Sequence, residues 1–80
     1  MRYIAINVNY KMDMDWYFRC SSVLECYQYF DRLEPGDGKR TAIYDTEQHE
    51  YLWIDEESID NEKRLNAIIR DAMISLQKNR

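Results

Sequence analysis

The chain has 80 residues, 45% hydrophobic and 14% aromatic, with two glycines, one proline, a formal charge of −4 and a pI near 4.9. So many aromatics and so few glycines and prolines exclude a disordered chain, and the length allows one domain, 1–80, near the lower limit for a single core. The negative charge, with Lys and Arg scattered, argues against a nucleic-acid backbone as the main partner.

No run approaches the ~18 apolar residues of a membrane span, and the apolar run in MRYIAINVNYK is too short for a signal peptide. A cytoplasmic location is therefore expected, without membrane association. Cys20 and Cys26 are then reduced thiols, at a spacing that matches no standard zinc or redox motif.

Residues 2–10 alternate, with Ile4, Ile6, Val8 and Tyr10 on one face and Tyr3, Ala5, Asn7 and Asn9 on the other. Residues 12–20 do the same, with Met12, Met14, Trp16, Phe18 and Cys20 against Asp13, Asp15, Tyr17 and Arg19. Period-two patterning of this kind predicts strands with one buried face, and the short NYKMD joint predicts an antiparallel hairpin. Ser22-Val23-Leu24-Glu25 has the form of a capping box, opening a helix to about Leu33. Val23, Cys26, Tyr27, Phe30 and Leu33 are its expected core stripe, which leaves Tyr29 outward.

The stretch EPGDGKRT, residues 34–41, invites comparison with a phosphate-binding loop. Such a loop needs G-x-x-x-x-G-K-[ST] between a strand and a helix, so that backbone N–H groups and the helix dipole converge on phosphate. Here the glycines are two apart, Arg40 separates Lys39 from Thr41, a helix precedes and a strand follows. The stretch reads as a turn, with Lys39 and Arg40 in water.

Residues 41–45 and 50–54 read as a second hairpin around DTEQH, and the run YLWI suggests a strand covered on both faces. Asp55-Glu56-Glu57-Ser58 then opens the last helix, with Ser58 as N-cap and the acids at the positive end of the dipole. Leu65, Ile68, Ile69, Ala72, Met73 and Leu76 form its core stripe, Ile74 falls off it, and Lys78 and Arg80 suit its negative end.

The order is ββαββα, an α+β domain. A faint echo at one offset (Ala5-Ile6 with Ala42-Ile43, Trp16 with Trp53) is compatible with two ββα units sharing a sheet. The expected architecture is a four-stranded antiparallel sheet with both helices packed on one face. Trp16, Phe18, Phe30, Ile68 and Ile69 are the expected core.

No catalytic set stands out. His49 sits in a hairpin turn, Cys20 and Cys26 lie on core stripes, and the Asp13/Asp15 pair lacks the further oxygen ligands of a metal or glycosidase site. No cofactor or metal is expected. The aromatics exceed ordinary folding needs, with Tyr3, Tyr17 and Tyr29 off the core stripes, and tyrosine suits recognition surfaces.

The first expectation is a small acidic, non-enzymatic protein-interaction module. It would meet a basic groove on another protein through the helix-free sheet face (Tyr3, Tyr17, Asp13, Asp15) or through Asp55, Glu56 and Glu57. By analogy of size and composition only, it suits a phage or mobile-element inhibitor of a host nucleic-acid machine. The alternative is a single-stranded nucleic-acid binder that stacks bases on sheet aromatics, with Arg19, Lys39 and Arg40 on the phosphates. A homodimer through an edge strand or Ile74 is compatible with the first.

Overall fold

The computed structural model describes residues 2–78, with side chains as far as Ser75. The Leu76 and Lys78 side chains and Arg80, all assigned roles above, lie outside the described residues. The elements run β1 (Tyr3–Asn9), β2 (Met14–Cys20), α1 (Val23–Asp31), β3 (Lys39–Asp45), β4 (Glu50–Ile54) and α2 (Glu62–Lys78). Short 3-10 segments, Pro35–Asp37 and Glu56–Asn61, lead into β3 and α2. The predicted α+β class and ββαββα order hold, and the four strands form one antiparallel sheet in the order β2-β1-β3-β4.

The placement of the helices differs from the expectation. Ile4, Ile6, Val8 and Ala42 pack with Leu65, Ile68, Ile69 and Ala72 of α2. Ala5 and Ile43, which point the other way, pack with Cys26 and Phe30 of α1. The helices therefore cover opposite faces, and the sheet is the middle layer of three.

The cause lies in β1, where Ala5 and Asn7 are as buried as the isoleucines beside them. Ala5 is small enough for α1 to approach closely. Asn7 accepts a hydrogen bond from Tyr29 Oη at 2.6 Å and donates through Nδ2 to the Asp37 carbonyl at 2.7 Å, which makes its burial tolerable. An apparently one-sided alternation thus conceals a strand buried on both sides.

The hairpin register completes the arrangement. Ile4, Ile6 and Val8 lie opposite Arg19, Tyr17 and Asp15, so the apolar stripes of β1 and β2 face opposite ways. The internal echo is not a structural repeat. A two-fold axis exchanging antiparallel β1 and β3 would stand normal to the sheet and keep each face on itself, yet Ala5 and Ala42 face opposite sides.

Two core assignments need correction for the same reason. Phe18 is 41% exposed and Trp16 half-buried, because their stripe lies on the edge strand under only the flank of α1. Phe30, Ile68 and Ile69 are buried as expected. The run YLWI is not covered on both faces: β4 is the other edge, and a register irregularity opposite Ile43/Tyr44 leaves Leu52 45% exposed. That irregularity lets Tyr51 donate to Asn66 of α2 while Trp53 meets Phe30 of α1 edge-on.

The capping box forms as read. Ser22 Oγ accepts from the Glu25 N–H at 3.2 Å, and Glu25 Oε2 accepts from the Ser21 N–H at 3.0 Å. Glu34–Gly38 make the expected turn, around the 3-10 segment Pro35–Asp37, while Lys39, Arg40 and Thr41 already belong to β3. Asp37 Oδ2 accepts from the Glu34 N–H, Gly38 takes φ +82°, and a strand follows. Ser58 is not a helix cap. It is buried ahead of α2, with its hydroxyl 2.7 Å from Tyr10 Oη.

Candidate interaction surfaces

With a helix on each face, no helix-free sheet face exists to hold Tyr3, Tyr17, Asp13 and Asp15 together. Tyr3 packs beside the α1 cluster with the Arg2 guanidinium 5.2 Å from its ring centre, while Tyr17 packs on the α2 side. Tyr29 does not point outward. The helix is rotated so that Cys26, Tyr29, Phe30 and Leu33 face the sheet, and the Tyr29 ring stacks on Phe18 with centroids 4.8 Å apart. Both this stripe and the expected one have helical spacing. The hydrogen bond that Asn7 needs accompanies the one that includes Tyr29. Ile74 is off the stripe as read, 44% exposed.

The acids are largely occupied within the fold. Arg64 of α2 reaches Asp13 at 2.7 Å and Asp15 at 3.4 Å. Lys39 is not free in water, since its ammonium contacts Asp55 at 2.6 Å and Glu57 at 2.7 Å. Both cations lie near the Tyr10 ring, Lys39 Nζ at 6.0 Å and the Arg64 guanidinium at 5.5 Å from its centre. This knot fastens the first hairpin turn, the start of β3 and the entry to α2. Sequence reading found the acids but not their partners, because Lys39 and Arg64 are distant in the chain.

What remains around this corner is Glu56, Asp60 and Glu62, all exposed and in no ion pair among the described residues. Ile59, which no sequence pattern singled out, lies in the same stretch of chain with 54% of its surface exposed. The segment carrying them is fixed through Ser58 and Tyr10, through Asp55 and Lys39, and through the Asp55 N–H donating to the Thr41 carbonyl at 2.8 Å.

A second surface lies where α1 overhangs β2. Phe18, Leu24, Gln28, Tyr29 and Arg32 border a groove of about 470 Å³, and Tyr29 and Arg32 continue into a smaller one that reaches Trp16. Arg19 and Arg32 form no ion pair among the described residues.

The groups considered for catalysis are apart. His49 is exposed in the β3–β4 turn at φ +55°, whereas Cys20 and Cys26 are buried under α1. Burial pushes both thiols up, Cys20 the further, so they are neutral and behave as small apolar groups. No group of His, Cys, Asp and Glu among the described residues has a metal-binding arrangement, and no helix is long and apolar enough to cross a membrane. Comparison with protein-family models, with curated proteins and with solved structures returns no significant match.

Proposed function

We propose that the chain is a small acidic, non-enzymatic protein-interaction module that docks on a basic surface of another protein through residues 55–62. The observation that carries this reading is Ile59. An isoleucine 54% exposed, and flanked in the chain by the exposed Glu56, Asp60 and Glu62, offers an apolar contact within an acidic segment. Such a combination matches the anatomy of a protein interface, with charge steering the encounter and the apolar group anchoring it. A segment fixed in advance by Ser58, Asp55 and Lys39 loses little freedom on binding. Inhibition of a host nucleic-acid machine by a phage or mobile-element product, in the cytoplasm, is the setting that size and charge suit by analogy.

The single-stranded nucleic-acid reading retains Trp16, Phe18, Arg19 and Arg32 on the β2 side. It loses Lys39, whose charge Asp55 and Glu57 neutralise, and the open aromatic sheet face it requires.

The test is affinity capture from a nuclease-treated lysate of the native cell, using the parent chain, Ile59→Ala and the triple variant Glu56→Lys, Asp60→Lys, Glu62→Lys. One stoichiometric protein partner is expected, released by rising salt, weakened by Ile59→Ala and lost with the triple variant. Capture indifferent to the charge reversal would reject this surface. Capture seen only before nuclease treatment would favour nucleic acid instead.

A further inference from the structure

We propose that β2 is the docking edge for a second copy of this chain, the two strands pairing antiparallel about Tyr17 to join both sheets into one. This reading does not rest on residues 55–62.

The two sheet edges differ in how they are protected. β4 has five residues and an irregular register, features that discourage pairing with another chain. β2 has seven residues, pairs with β1 along its whole length without irregularity, and contains neither proline nor lysine. Its outer side is an open ladder of N–H and C=O groups.

The sequence of β2, MDWYFRC, is complementary to itself when reversed. Only alternate residues of an edge strand turn their backbone groups outward, so two antiparallel copies must centre on a residue rather than between two. Overlap of the full strand centres on Tyr17. Asp15 then lies opposite the partner's Arg19, and Arg19 opposite the partner's Asp15. On the other face Trp16 lies opposite the partner's Phe18, and Phe18 opposite the partner's Trp16. Such opposite-charge and aromatic cross-strand pairs are favourable. Centring on Trp16 would set Asp15 against Tyr17, and centring on Phe18 would set Arg19 against Tyr17. Both shifts lose the two Asp15–Arg19 pairs.

The monomer leaves these groups available. Arg19 has no ion pair among the described residues, and Asp15 has only the 3.4 Å contact with Arg64. Met14 and Phe18 are 43% and 41% exposed, and Leu24 is 66% exposed on the adjoining flank of α1. The groove bordered by Phe18, Leu24 and Tyr29 lies beside this edge, where the partner's Trp16 would cover it. A two-fold axis normal to the sheet keeps α1 and its copy on one side and α2 and its copy on the other.

Sedimentation equilibrium is the first test. The parent chain should sediment as twice 9.8 kDa at millimolar concentration. Arg19→Asp, which sets like charges opposite each other twice, should weaken the dimer at least about tenfold. Adding Asp15→Arg to Arg19→Asp should restore it. A second measurement needs no variant: hydrogen exchange of the parent chain at low and high concentration. Amides of β2 should gain protection as concentration rises, and those of β4 should not. A strict monomer at millimolar concentration, a dimer indifferent to Arg19→Asp, or protection gained on β4 alone would overturn the proposal.

Discussion

Gly38 shows how closely the turn before β3 approaches the sheet. At φ +82° an added Cβ would lie 2.5 Å from the Val8 carbonyl carbon and oxygen and 2.7 Å from the Asn9 nitrogen, all backbone. Gly38→Ala should therefore cost more than about 1 kcal/mol in urea denaturation. Gly36, where an added methyl would have nothing within 4 Å, should tolerate the same change far better. Asp45 is the other residue under close constraint. It accepts two hydrogen bonds from Arg2, at 2.9 and 3.1 Å, and further ones from the Glu47 and Gln48 N–H groups. Chiefly the Arg2 bonds, opposed by burial and aided by those backbone donors, hold its carboxyl below the usual carboxylate range. Its folded pKa is thus below the unfolded value of about 3.9, so its stabilisation is complete above that value. The stabilisation is lost as pH falls through the lower folded pKa. Thermal melts should show Tm falling over this acid window, and Asp45→Asn should both lower Tm at neutral pH and flatten the acid decline. The Gly38 turn was legible in Asp-Gly chemistry. The Arg2–Asp45 pair was not, because nothing local links residues 43 positions apart.

Element boundaries were the most legible feature, since Ser22, the Pro-Gly turn and the period-two runs are local signals. Element faces were less so. In α1 the expected and observed stripes share Cys26, Phe30 and Leu33; the expected one adds Val23 and Tyr27, whereas packing selects Tyr29 and leaves Tyr27 47% exposed. In β2 the apolar stripe was evident, but the side it takes depends on the register with β1. Two truncations separate the observed packing from the one read in the sequence. Phe30→Ala, at a side chain 6% exposed and in edge contact with Trp53, should cost about 3–5 kcal/mol. Phe18→Ala removes a partly exposed ring and its stack on Tyr29, and should cost about 1–2 kcal/mol. Equal losses at the two positions in chemical denaturation would contradict the burial described here. Ser58→Ala, which leaves the Tyr10 hydroxyl without its partner, should cost about 1–2 kcal/mol by the same assay.

For the whole molecule, the decisive feature is that a sheet of four strands carries one helix on each face. Each face is largely covered by its helix, which leaves the β2 edge with the flank of α1 and the acidic corner around Ile59 as the two surfaces on which the proposals above rest. The candidate acids were visible in the sequence, but which of them Lys39 or Arg64 holds is a property of the folded chain. Self-complementarity of β2 is written in its seven residues and gains meaning only once β2 is known to be an edge. The measurement that tests this arrangement most directly is nuclear Overhauser contact between side chains of adjacent β1 residues and the two helices. The Ala5 methyl should show contacts to Cys26 and Phe30 of α1, and the Ile6 methyls to Leu65 and Ile69 of α2, with neither set crossing over. Contacts from Ile6 to both Phe30 and Leu65 would place the helices on one face and contradict the account.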